Sequence, residues 1–347
     1  MIHDHPVDRN DLQRGCSALP QKVVSVGVLD QQLEPVDGQQ GGVGVALEVD
    51  IVEDQTEIGC GELVGYVDDG AYSFAHSEPS VLSKVLTEKY KLLETWMNAN
   101  KLVINQDKTH LMVMGSKKTA KLRHQVSMQA GTFVIKPSET EKLLGGNLHQ
   151  SLQWNHHLRD SKSSLVRQLT NRVNGLKRIS RNATFKTRLM VANGVVMSKM
   201  VYLITIWGGA QQYLLKILLV QQLTAARAVC GFQSWGWSKK KLLDKLGWMS
   251  VRQLIFFHTV LQAHKTITSG VPRPLYASIP TTYPYETRNS TSGKIRFGET
   301  FTSTSTFKYR AMSTYNSVPS KVKTGSLPTV KRKLKTWVKQ NVPIDWG

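Results

Sequence analysis

The 347-residue chain carries 45 Lys and Arg against 25 Asp and Glu, a formal net charge of +20, and 40% of its residues are hydrophobic. That apolar share supports one large core or two ordinary ones and excludes global disorder. The basic excess points to a polyanionic partner, nucleic acid first and a membrane surface second, while three scattered cysteines (Cys16, Cys60, Cys230) exclude a disulfide framework or a zinc-ligand set.

The charge is unevenly spread. Residues 1–65 hold twelve acids and three bases, a net of −9, whereas residues 66–347 hold thirteen acids and forty-two bases, a net of +29. The composition therefore divides near residue 62, with an acidic, Gly- and Val-rich segment 1–62 before it. No apolar run reaches the roughly 18 residues of a membrane span. The start Met1-Ile2-His3-Asp4-His5 lacks the basic and apolar parts of a signal peptide. The expected setting is nucleus or cytoplasm, without secretion and without a membrane partner.

In chain order, Val23-Val24-Ser25-Val26-Gly27-Val28 is a possible strand with no turn chemistry to organise it. Leu63–Val67 and Ala71–Phe74 flank Asp68-Asp69-Gly70, a hairpin signal in which Asp and Gly supply the turn. Ser77 and Pro79 then start a helix whose apolar residues Leu82, Val85, Leu86, Leu93, Trp96 and Met97 lie on one face, closed by Asn98 and Asn100. Strands are expected at Leu102–Asn105 and Leu111–Met114 around a Gln106–Thr109 turn, and as a pair at Thr132–Ile135 and Leu143–Leu148. Helices are expected over 156–179, 184–206, 211–230, 239–268 (interrupted near Gly247) and 328–341, and a Ser/Thr-rich linker over 281–306.

Two adjacent carboxylates at a strand turn suit a Mg²⁺ pair, because hard cations take oxygen ligands beside substrate phosphates. Asp-Asp-Gly between strands is more often plain turn chemistry. The motifs that follow it decide between these readings. Trp96-Met97-Asn98-Ala99-Asn100-Lys101-Leu102-Val103-Ile104-Asn105, Lys108-Thr109, Leu144-Gly145-Gly146 and Leu152-Gln153-Trp154-Asn155-His156-His157 come in order. Beyond them stand Ala226–Gly231, Leu246-Gly247-Trp248, Gly270–Tyr276, Arg310-Ala311, Tyr315–Pro319 and Leu334–Trp337. From about residue 63 to 338 this succession resembles the reverse transcriptases of non-LTR retrotransposons, from the second half of the palm through the region beyond it.

The resemblance implies an RNA-directed DNA polymerase, a two-metal nucleotidyltransferase using Mg²⁺, with an RNA template and a DNA primer or target as partners. Asp68 and Asp69 become metal ligands, Asp69 the less critical. Tyr66 would pack near the primer end, and Lys108 would lie near the triphosphate as a proton donor to pyrophosphate. The family also carries an earlier palm Asp, usually before a Phe-Asp pair, and a fingers region. Residues 1–65 match neither; only Asp50 and Asp54 offer a substitute carboxylate, in a run that reads first as acidic surface. The expected architecture is α+β: a partial antiparallel palm sheet over 63–150, a mainly helical thumb-like region over 151–280, and a linker with a basic tail over 281–347. The chain is expected to be a truncated polymerase. The alternative is a catalytically inactive nucleic-acid-binding remnant. His156-His157 reads as capping or surface and not as a metal site. Lys239-Lys240-Lys241 and Lys331-Arg332-Lys333 read as solvated faces able to touch phosphate, and Trp235 and Trp237 as core residues before base-stacking ones.

Overall fold

The protein is α+β. The computed structural model describes residues 23–30, 62–66, 69–115, 120–278 and 306–346, and 23–30, 62–66 and 69 as backbone. It divides into two compact units, Met1–Gln153 and Trp154–Gly347.

The first unit is built on a five-stranded sheet of β1 (Val23–Asp30), β2 (Glu62–Tyr66), β3 (Asp69–His76), β4 (Thr109–Met114) and β7 (Pro137–Ser138), in the order β2-β3-β1-β4-β7. The pairs are antiparallel except β4 with β7, so the sheet is mixed where an antiparallel one was expected. Helix α1 (Pro79–Ala99) crosses from β3 to β4, and β1 lies between those two strands, a split β–α–β arrangement. The helical periodicity holds: Leu82, Val85, Leu86, Leu93 and Met97 are buried, joined by Tyr90, and they pack with Phe74 of β3 and Leu111 and Val113 of β4. Asn100 ends the helix by donating from Nδ2 to the Trp96 carbonyl at 2.8 Å.

Two local expectations change. Leu102–Asn105 is not a strand. Asn105 bends the chain instead, its Oδ1 accepting from Asp107 N at 3.1 Å and its carbonyl from Lys108 N at 3.2 Å. Thr132–Ile135 and Leu143–Leu148 do not pair with each other. Each belongs to its own tight hairpin, β5 (Met128–Ala130) with β6 (Phe133–Ile135), and β8 (Thr140–Leu143) with β9 (Gly146–His149). Two-residue loops decide this: Gly131 (φ 58°) opens one, and Leu144 and Gly145 (φ 45° and 77°) form the other.

The second unit is helical: α2 (Leu165–Ile179), α3 (Phe185–Val191), α4 (Ser198–Val201), α5 (Ile204–Trp207), α6 (Gln212–Cys230), α7 (Lys239–Leu246), α8 (Val251–Ser269), α9 (Arg273–Ser278), α10 (Phe307–Ser317), α11 (Ser320–Lys323) and α12 (Leu327–Asn341). The break near Gly247 is a helix cap: at φ 69° Gly247 ends α7, and Trp248 N donates to the Leu243 carbonyl at 2.9 Å. Buried Gln222 of α6 donates to the Met249 carbonyl and accepts from Val251 N, tying α6 to the start of α8. The segment read as a basic tail packs Met312, Tyr315, Leu334 and Val338 into the same core as α6 and α8.

Helix α6 also changes an expectation. Its 19 residues, with a mean hydropathy of 1.2, are long and apolar enough to cross a membrane by length and composition. More than half of it is buried in the helical core, as in the core helices of water-soluble proteins.

Candidate active site at one end of the sheet

The register gathers the sequence-selected residues at a single sheet end. Tyr66, the last residue of β2, pairs with Asp69, the first of β3, so the hairpin connection is Val67-Asp68. Gly70 is therefore a strand residue opposite Gly65 and not part of the turn, contrary to the sequence reading. Val67 and Asp68 lie outside the described residues, as do Asp50 and Asp54.

On its other side β3 pairs with β1, and there Asp69 is opposed by Asp30. Opposed Cα atoms in an antiparallel pair lie about 4.5–5.5 Å apart, so two acidic residues meet across this ladder. Asp30 is an acidic neighbour of Asp69 that the sequence analysis did not single out. A signal was present: the Val-rich run continues through Leu29 and ends on an acid, the pattern of a strand that delivers a carboxylate at its tip.

Strand β4 completes the end. Leu29 pairs with Thr109, the first residue of β4, so Lys108 immediately precedes the strand at the same edge. The backbone there is held by Asn105, whose carbonyl also accepts from Thr109 Oγ1 at 2.9 Å. Thr109 is buried, Lys108 half-buried and Asp107 exposed. Tyr66, Asp69, Asp30 and Lys108 thus come from four successive segments to one edge.

Among the residues whose side chains are described, no group of three His, Cys, Asp or Glu forms a metal site. Carboxylates from Asp30, Asp68 and Asp69 would be oxygen donors of the type Mg²⁺ takes, and two opposed acids repel unless a cation lies between them.

Elsewhere the surface reading of His156-His157 fails for His157. His157 is buried, edge-on to Trp154 with ring centroids 6.1 Å apart, and its pKa is lowered to about 4 by burial and then by Lys199. Lys240 pairs with Asp244 at 2.6 Å, Lys239 pairs with Asp345, and Lys333 Nζ caps the Lys321 and Thr324 carbonyls. These lysines are tied to neighbouring structure as well as solvated. Trp237 packs against the core, but Trp235 is 74% exposed and the core reading fails there. The small neighbour Ser234 takes the inward place and turns the indole out.

No protein-family model matches the chain, and no curated protein or solved structure shows significant similarity to it.

Proposed function

We propose that the protein is an RNA-directed DNA polymerase of the non-LTR retrotransposon type, acting by two-metal nucleotidyl transfer. The observation that carries this reading is the Asp30–Asp69 cross-strand pair beside the Tyr66–Asp69 hairpin end. An acidic residue on an earlier strand is what the resemblance requires, and the register of Asp30 opposite Asp69 supports Asp30 in that role. Asp68, Asp69 and Asp30 would hold Mg²⁺, which supplies charge stabilisation to the attacking and leaving oxygens. Lys108 would give a proton to departing pyrophosphate, and Tyr66 would lie by the primer end. One departure stands: Gln31-Gln32-Leu33 follows Asp30, with no Phe-Asp pair.

A second reading, a nucleic-acid-binding protein without catalysis, is favoured by the helical unit. Its residues 154–347 hold 31 bases and 5 acids, a net of +26. Such a surface binds phosphate with or without chemistry.

Primer extension on an RNA template with Mg²⁺ separates the two. Extension by the wild type that falls roughly 10³-fold in Asp68→Ala and in Asp30→Ala supports the polymerase, since loss of a metal ligand removes several kcal/mol of transition-state stabilisation. Retained RNA binding with no extension by any form supports the second reading.

A further inference from the structure

The loop between α6 and α7 exposes two aromatic rings on a rigid turn. Phe232 is 88% and Trp235 74% exposed, with ring centroids 6.1 Å apart. They are the first residue of a single 3-10 turn and the residue three further on, and in such a turn those positions lie above one another on one side. The turn is closed from within. Ser234, fully buried, donates from Oγ to the Gly231 carbonyl at 2.6 Å and from N at 3.1 Å, while Trp235 N donates to the Phe232 carbonyl at 3.1 Å. Gly231 and Gly236 bracket it at φ 81° and 86°, a region that disfavours side-chain-bearing residues.

Cations and further rings stand on the chain after the turn, on α7 and on α3. Lys241 Nζ lies 4.6 Å from the Trp237 ring centre, and Lys245 Nζ 5.9 Å from that of Phe185 on α3. Arg188 reaches to within 3.4 Å of where a Cβ on Gly231 would stand. No Asp or Glu occurs between Asp160 and Asp244, and Asp244 is engaged by Lys240. Exposed flat rings beside an excess of positive charge, with Asp244 and Asp345 each paired to a lysine, complement a polyanion that offers its own flat faces. Single-stranded nucleic acid has both, whereas a duplex keeps its base faces stacked inside.

We infer that Phe232 and Trp235 form a stacking platform for single-stranded nucleic acid, with Arg188, Lys241 and Lys245 taking the backbone phosphates. The inference rests on the nucleic-acid part of the proposed function and not on polymerase chemistry. It concerns a surface within the helical unit alone.

The test uses the full chain, a labelled 20-nucleotide single-stranded RNA and a blunt duplex of equal length. Phe232→Ala and Trp235→Ala remove exposed rings, and circular dichroism melts verify that both variants keep the fold. Each loses roughly tenfold or more in affinity for the single strand, because stacking on one ring carries that much, while duplex affinity stays within about twofold. Rescue by Trp235→Phe supports a stacking role. Single-strand binding unchanged in the double variant overturns the platform and leaves nucleic-acid binding standing. A wild type that binds neither RNA overturns the platform and the proposed function together. Loss confined to phosphatidylserine vesicles, with RNA binding intact, reassigns the rings to a membrane surface and overturns the inference.

Discussion

The sheet unit and the helical unit carry charge of opposite sign. Residues 1–153 hold 20 acids and 14 bases, a net of −6, against +26 for residues 154–347. In the first, a strand register opposes two acidic residues, Asp30 and Asp69, from separate parts of the chain. In the second, positive charge is spread over a surface whose interior is held by apolar helix packing. A site built for metal needs few residues in fixed positions. A surface built for phosphate needs many and tolerates the loss of any one.

The steepest way to break that division is salt. If the helical surface makes six to ten phosphate contacts, RNA affinity should fall by roughly 10³–10⁵-fold between 50 and 200 mM salt. A titration of binding against salt reads the slope directly. A nearly flat dependence would mean that the basic excess does not meet phosphate, and the comparison would lose its second half.

Acid strikes the helical unit next. His157, His258 and His264 all have pKa values lowered first by burial, then by lysines: Lys199 for His157, Lys331 and Lys265 for His258, and Lys323 for His264. A lowered folded pKa means that the unfolded chain takes up protons first as pH falls. The stability held by neutral His157 is therefore complete above about pH 6.5 and is lost as pH falls toward about 4. That loss amounts to about 3 kcal/mol. Urea unfolding followed from pH 7.5 to 4.5 should show the decline, with His157→Phe flattening it. An unchanged slope in that variant would remove His157 as the cause.

Much of the helical content was legible in local pattern. Apolar spacing placed α1 and α6 within a residue or two, and Gly247 marked the break between α7 and α8 because only a left-handed cap residue closes a helix there so cheaply. What local pattern could not supply was pairing across distance. Val23–Asp30 becomes meaningful only when β3 and β4 close on either side of it, some forty and eighty residues further along. The same limit explains the regrouped hairpins, where two-residue loops outweighed the more distant match. Leu102–Asn105 had strand composition, but Asn105 satisfied the backbone locally and ended the extension. Asp68 and Asp69 are candidates by motif, while Asp30 becomes one only through the register.

The smallest predicted effect tests that register most directly. Like charges opposed across an antiparallel ladder destabilise the pair by roughly 0.2–1 kcal/mol. Asp30→Asn should therefore raise the stability of the metal-free protein by that amount, an unusual sign for a change at a proposed active site. Added Mg²⁺ binds the folded state and should stabilise the wild type more than the variant, because Asp30→Asn removes a ligand carboxylate. Urea midpoints measured in chelator and in millimolar Mg²⁺, for both proteins, give the four numbers needed. A variant less stable than wild type without metal, yet equally responsive to Mg²⁺, would place Asp30 outside the cation's reach. The acidic edge would then reduce to the Asp68-Asp69 turn, and a sheet with charge but no complete site would stand beside the basic helical unit.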